Sequence, residues 1–86
     1  MPERKVTVQA EVGLHARPAA TFVQTAMQAP MDIAVTKVSG GGPVNGKSIL
    51  QIMGLDVRPG ETIVISADGE GADTVLDELA AIAGAP

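Results

Sequence analysis

The stretch Lys5-Val-Thr-Val-Gln-Ala10, then Glu11-Val-Gly-Leu14, then His15-Ala-Arg-Pro-Ala-Ala-Thr-Phe-Val-Gln-Thr-Ala-Met-Gln28 changes its hydrophobic period partway along. Its first part alternates, with Val6, Val8 and Ala10 on one side, as a half-buried strand does. From Ala16 to about Gln28 the apolar residues Ala19, Phe22, Val23, Ala26 and Met27 recur at three- and four-residue spacing, which predicts an amphipathic helix. Pro18 falls in the first turn, where a backbone N–H has no helical partner in any case. Pro30 stops the helix. A strand thus passes through a short loop into a helix.

The remaining elements follow from the same reading. Met31 to Val38 is expected to form a second strand, with Met31, Ile33 and Val35 sharing a face. Ser39-Gly-Gly-Gly-Pro43 is a turn, Val44 belongs to a short third strand, and Asn45-Gly46 is a turn signal. Ser48 to Met53 is expected to form a short helix closed by Gly54 at the C′ position. Arg58-Pro-Gly60 fits a type II turn, and Thr62 to Ala67 is a strand rich in β-branched residues. Asp73 is the expected cap of a last helix, on which Val75, Leu76, Leu79, Ile82 and Ala83 form an apolar stripe. The order β-α-β-β-α-β-α predicts an α+β fold. Its sheet would be four-stranded and largely antiparallel, with three helices on one face.

Composition bounds the function. The 86 residues suffice for one domain, expected to span 1–86. Phe22 is the only aromatic residue, which argues against base stacking or an aromatic sugar platform. With no cysteine and a single histidine, disulfides and zinc sites of the usual kind are excluded, and no metal or cofactor is expected. No apolar run is long enough to span a membrane, and Met1-Pro-Glu-Arg-Lys5 leads straight into a strand without a signal-peptide core, so a cytoplasmic protein is expected. The net charge of −4 disfavours nucleic acid and anionic membrane as partners. That charge is unevenly spread. Seven of the ten acids lie between Asp56 and Glu78, whereas from Val12 to Leu55 Asp32 is the only acid beside Arg17, Lys37 and Lys47.

The chemistry concentrates in Gly13-Leu-His-Ala-Arg-Pro-Ala19, which places the lone histidine immediately before a helix. A helix N-terminus presents unpaired N–H groups and the positive end of the macrodipole, a ready anion site. Arg17 adds a permanent charge with a fork of donors matched to phosphate oxygens. The same positive potential opposes protonation of the ring, so a neutral, nucleophilic imidazole is expected at His15. Phosphoryl transfer asks mainly for positioning and charge stabilisation, which these residues supply without a metal or a large pocket. Taken alone, a histidine before a helix is also a common loop or capping residue.

Gly13-Leu-His-Ala-Arg-Pro-Ala-Ala20 resembles the active-site signature of the HPr family of histidine-containing phosphocarriers. The resemblance runs along essentially the whole chain and includes Asn45-Gly-Lys-Ser-Ile-Leu-Gln-Ile-Met-Gly-Leu55. It implies an open-faced β-sandwich. It also implies a carrier, not a free-standing enzyme, that takes phosphate from phosphoenolpyruvate through enzyme I onto Nδ1 of His15. The carrier then passes it to sugar-specific IIA domains of the phosphotransferase system. Arg17 would be the electrostatic partner of His15. Ser48 matches the family's regulatory serine, modified in some bacteria by an HPr kinase/phosphorylase and then read by catabolite regulators; serine is also an excellent helix N-cap. Ala16, Ala20, Ile49, Leu50 and Met53 would contribute to the partner-binding surface, since a helix as short as Ser48–Met53 cannot bury every face. A monomer is expected.

Three other readings stand beside this one, among them a purely structural interaction module. A nitrogen-related regulatory paralogue of the same fold would use the same His15. Separately, Gly41-Gly-Pro-Val-Asn-Gly46-Lys47-Ser48 matches the P-loop pattern. A P-loop follows a buried parallel strand and opens a long helix inside a larger domain, which this chain lacks room for. Gln24, Met27 and Gln51 occupy rim positions that some family members fill with lysine, so a weaker salt dependence of docking is expected.

Overall fold

A computed structural model describes residues 2–86. Its elements are β1 (Glu3–Thr7), α1 (Ala16–Met27), β2 (Ile33–Lys37), β3 (Val44–Asn45), α2 (Ile49–Gly54), β4 (Thr62–Ala67) and α3 (Ala72–Gly84). The order is the one expected from the periodicities. The four strands form one sheet in the order β1-β4-β2-β3, and every pair in it is antiparallel. This is the open-faced sandwich.

Alternation along β4 explains which side is covered. Ile63, Ile65 and Ala67 are buried, while Thr62, Val64 and Ser66 between them are only half-buried. Ile63 and Ile65 meet Ile33 and Val35 of β2 and Phe22, Val23 and Ala26 of α1 in one core, which Leu76, Leu79 and Ala83 of α3 complete. Phe22, at 0% exposure, is its largest side chain. Across the sheet edge, Arg4 of β1 donates to Asp77 (2.9 Å) and lies 3.2 Å from Asp73, tying β1 to α3. These pairs are exposed, so packing holds the two elements together far more than charge does.

Several boundaries differ from the sequence expectation. β1 pairs over Glu3–Thr7, so Val8 and Ala10 lie beyond its end; both are buried nonetheless. β2 is confined to Ile33–Lys37, because Met31 and Val38 lie outside its pairing with β4. Met27, assigned to the buried face of α1, is 63% exposed: it lies at the edge of that face, where Ala26 and Ala29 beside it take the buried positions. Gly54 does not close α2 as a C′ residue; it is the last helical residue, and the left-handed position falls two residues later at Asp56 (φ 54°). Asp73 lies in the first turn of α3, and the cap position belongs to Gly71 (φ 84°). Arg58-Pro-Gly60 forms the expected turn, with Gly60 at φ 89° and Glu61 N–H donating to the Arg58 carbonyl at 3.1 Å.

Candidate functional site

His15 occupies the cap position of α1 in an extended conformation (φ −129°, ψ 166°), and no side chain caps the helix. The amides of the first turn therefore face a site that an anion can fill. The loop before His15 is pinned from the far side of the chain. Leu14 N–H donates to the Val57 carbonyl at 2.9 Å, and Gly13 N–H to Ala10 at 2.8 Å. Gly13 has φ 68°, and a Cβ there would collide with the Val57 carbonyl oxygen. Glycine is required on both counts, and its close approach brings the segment after α2 against the histidine.

That approach also brings a carboxylate to His15. Its side chain is 30% exposed, and Nε2 lies 3.3 Å from Oδ1 of Asp56. The other carboxylate oxygen, Oδ2, accepts from Arg58 through Nε (3.3 Å) and Nη2 (3.2 Å). Arg58, first, and His15, second, favour the charged form, so the Asp56 carboxyl is held below its ordinary value. Glu61 supports the same segment: it accepts from Ser39 Oγ (2.7 Å) and from the Arg58 N–H (3.0 Å), which also lowers its carboxyl. Lys37 Nζ reaches the Asp56 carbonyl at 3.3 Å. Two non-glycine residues here have left-handed backbones, Ala16 (φ 54°) and Asp56 (φ 54°). Such a conformation costs an alanine roughly 1–2 kcal/mol, and aspartate tolerates it better.

Arg17 is exposed, borders a shallow cleft with Pro18, Thr21 and Ile82, and among the described residues no carboxylate pairs with it. Its guanidinium is available to an external anion. Ala16 is exposed and Ala20 half-buried. Ser48 caps α2, its Oγ accepting from Gln51 N–H at 3.2 Å. Ile49 (41%), Leu50 (81%) and Met53 (41%) are exposed, while Ile52 alone of that helix is buried. The C-terminal end of α2 leads directly to Asp56, whose N–H donates to Met53 at 3.1 Å, so this apolar face adjoins His15. Gln24 is exposed, but the Gln51 side chain is engaged, accepting from Asn45 N–H at 2.9 Å.

The P-loop reading finds no support in this geometry. β3 runs through the middle of the motif, α2 is six residues long, and Lys47 Nζ donates to the Ala29 carbonyl at 2.7 Å. The lysine that would hold phosphates closes the end of α1 instead.

The family model for the PTS HPr component phosphorylation site matches residues 2–84. The chain belongs to the HPr family. It is 44% identical over 80 residues to the phosphocarrier protein HPr of Streptomyces coelicolor, covering 93% of this chain and 85% of that one. It is 42% identical over 81 residues to the HPr-like protein Crh of Bacillus subtilis, covering 94% and 93%. Among solved structures, the phosphocarrier HPr from Bacillus anthracis superposes with a TM-score of 0.87 at 41% identity, covering 95% of both chains. As a family member the chain is a phosphoryl carrier of the phosphotransferase system, working between enzyme I and IIA domains and not as a catalyst in its own right. Among the described residues no helix is long and apolar enough to cross a membrane.

The sequence reading missed Asp56, Arg58 and Glu61. Asp56 is distant from His15 along the chain, and nothing in its local pattern reports the contact. The one available signal was an aspartate in a loop shortly after a glycine-terminated helix, a residue type that accepts the left-handed conformation.

Proposed function

We propose that His15 is the residue that carries the phosphoryl group, that Arg17 and the amides at the start of α1 receive its charge, and that residues 1–86 act as one carrier domain. The observation that carries this reading is the uncapped helix N-terminus with a half-buried imidazole at its mouth and an unpaired arginine two residues on. The ring supplies the nucleophile, and the amides and guanidinium supply donors for the three phosphoryl oxygens. The exposed face of Ile49, Leu50 and Met53 is the docking surface for enzyme I and IIA domains. An apolar centre beside a charged site suits brief encounters with several partners. Ser48, exposed enough for modification at the other end of α2, is where a kinase/phosphorylase would write a regulatory signal for catabolite regulators. A cytoplasmic location agrees with partners that act there.

The test is incubation with phosphoenolpyruvate and enzyme I, read by intact mass. One phosphoryl group is expected, labile to acid and stable to alkali as a phosphoramidate is. His15→Ala should abolish it with the fold intact, and Arg17→Ala should slow it. Normal labelling of His15→Ala would refute the assignment.

A further inference from the structure

We propose that Asp56 is a positioning residue for this transfer: its carboxylate, held by Arg58, keeps the His15 proton on Nε2 and leaves Nδ1 as the nucleophile. The inference rests on His15 being the carrier. Its basis is the division of labour between the two carboxylate oxygens. Oδ2 is taken by Arg58 Nε and Nη2, at 3.3 and 3.2 Å, which fixes the plane of the group. Oδ1 is thereby left facing His15 Nε2 at 3.3 Å. An ionised carboxylate only accepts, so the ring nitrogen facing it is the one that carries hydrogen. In a neutral imidazole the other nitrogen then holds the lone pair.

The backbone supports the same conclusion. Asp56 is held at φ 54° between Met53, whose carbonyl takes the Asp56 N–H, and Lys37, whose Nζ donates to the Asp56 carbonyl. Its neighbour Val57 is bonded to Leu14, directly before the histidine. The distance between residues 15 and 56 is therefore set by main-chain bonds on both sides, not by two mobile side chains finding each other. Strained backbone persists where the surrounding structure over-determines it, and such places gather at working sites.

Arg58 resolves an apparent conflict. A bare carboxylate beside a phosphoryl site would repel the incoming dianion. Paired with Arg58, Asp56 adds little net charge at a distance, yet still acts on the ring in contact with it.

The step balances without any proton entering or leaving. The donor is a phosphoramidate, the phosphohistidine of enzyme I. The Nδ1 lone pair forms an N–P bond as the donor's N–P bond breaks and its electron pair returns to the donor nitrogen. Nε2 keeps its hydrogen, so the ring becomes an N-phosphoryl imidazolium whose positive charge faces Oδ1. On onward transfer the N–P pair returns to Nδ1, and the ring leaves as neutral imidazole in the tautomer it started from.

Two variants test this without threatening the fold, since asparagine and glycine both tolerate a left-handed backbone. Asp56→Asn keeps an acceptor and loses the charge; Asp56→Gly loses both. Imidazole nitrogen NMR of labelled protein at alkaline pH reads the tautomer, and stopped transfer assays with enzyme I read the rate. Wild type should show the Nε2–H form alone. Asp56→Gly should show added Nδ1–H form and transfer slower by about two- to fivefold, the scale of a partly screened charge contact, with Asp56→Asn between them. An unchanged tautomer in Asp56→Gly overturns the proposal even if the rate falls, because the contact would then be merely structural. An unchanged rate overturns it even if the tautomer shifts. Failure of wild type itself to accept phosphate would instead refute His15 as carrier, a separately readable result.

Discussion

The Lys47 ammonium donates to the Ala29 carbonyl at 2.7 Å, linking the turn before α2 to the carbonyl end of α1. That carbonyl lies just beyond the last turn of α1, where a cation complements the helix dipole. The bond also sets the start of α2, and with it Ser48 and Ile49, relative to α1. Lys47→Met should preserve the stem that packs along the surface and lose the bond. We expect destabilisation of about 1–2 kcal/mol in urea denaturation. His15 should still accept phosphate, and no nucleotide affinity should be gained or lost.

Gly13 is the point at which two distant segments meet. Its φ of 68° and its approach to the Val57 carbonyl leave no place for a side chain. Gly13→Ala combines a conformational cost with a collision against backbone, which is less able to move than a side chain. A loss of more than about 2 kcal/mol is expected in thermal or chemical unfolding. Because the same displacement separates residue 15 from Asp56, the surviving folded fraction should transfer phosphate more slowly than wild type. A variant of normal stability would show that the loop can move away freely.

The two supported carboxylates set the acid response. Both Asp56 and Glu61 are held below their ordinary values in the folded chain, Asp56 chiefly by Arg58 and Glu61 chiefly by the Ser39 hydroxyl and the Arg58 N–H. A carboxyl whose folded value lies below its unfolded value contributes stability in full above the unfolded value. It loses that contribution as pH falls through the folded one. Unfolding followed from neutral pH down through the ordinary carboxylate range should show stability declining over that interval. Glu61→Gln should flatten part of the decline while lowering stability at neutral pH. Asp56 is exposed and Glu61 partly so, and the effect is modest.

How far the site was legible in the sequence follows from the range of each interaction. The elements were readable because their periodicities are local: α1 announces itself through Ala19, Phe22, Val23 and Ala26, and β4 through the alternation of Ile63, Ile65 and Ala67. His15 and Arg17 were readable because a helix start and its charge lie within a few residues. Asp56 was not, because its role depends on a loop closure through Gly13 and Val57 that no local pattern encodes. Met27 and Asp73 were misassigned for a related reason. A helical face tells which residues align, not where its buried edge falls, and two candidate caps such as Gly71 and Asp73 are separated only by the path of the incoming chain.

Ser48 stands at the opposite end of α2 from Asp56. Six helical residues separate the two ends, a rise of about 9 Å. That is on the order of the screening length at physiological salt, so a charge on Ser48 is largely screened at the Asp56 end of the helix. It acts strongly on whatever covers Ile49 and Leu50, which follow it directly and are exposed. On the proposed docking, enzyme I brings a phosphorylated site of its own across this face, and a further negative charge there would oppose the encounter and be costly to desolvate. Aspartate is as good a cap as serine, so Ser48→Asp should leave the melting temperature nearly unchanged while lowering the rate of His15 phosphorylation. Ser48→Ala removes the acceptor for Gln51 N–H, costing about 1 kcal/mol, and should accept phosphate at the wild-type rate. The two variants therefore separate stability from docking, each moving one and sparing the other. Enzyme I kinetics over a salt series decide the matter: the deficit of Ser48→Asp should shrink as salt rises. An unaltered rate at low salt would place Ser48 outside the docking surface and remove the physical basis for regulation through it.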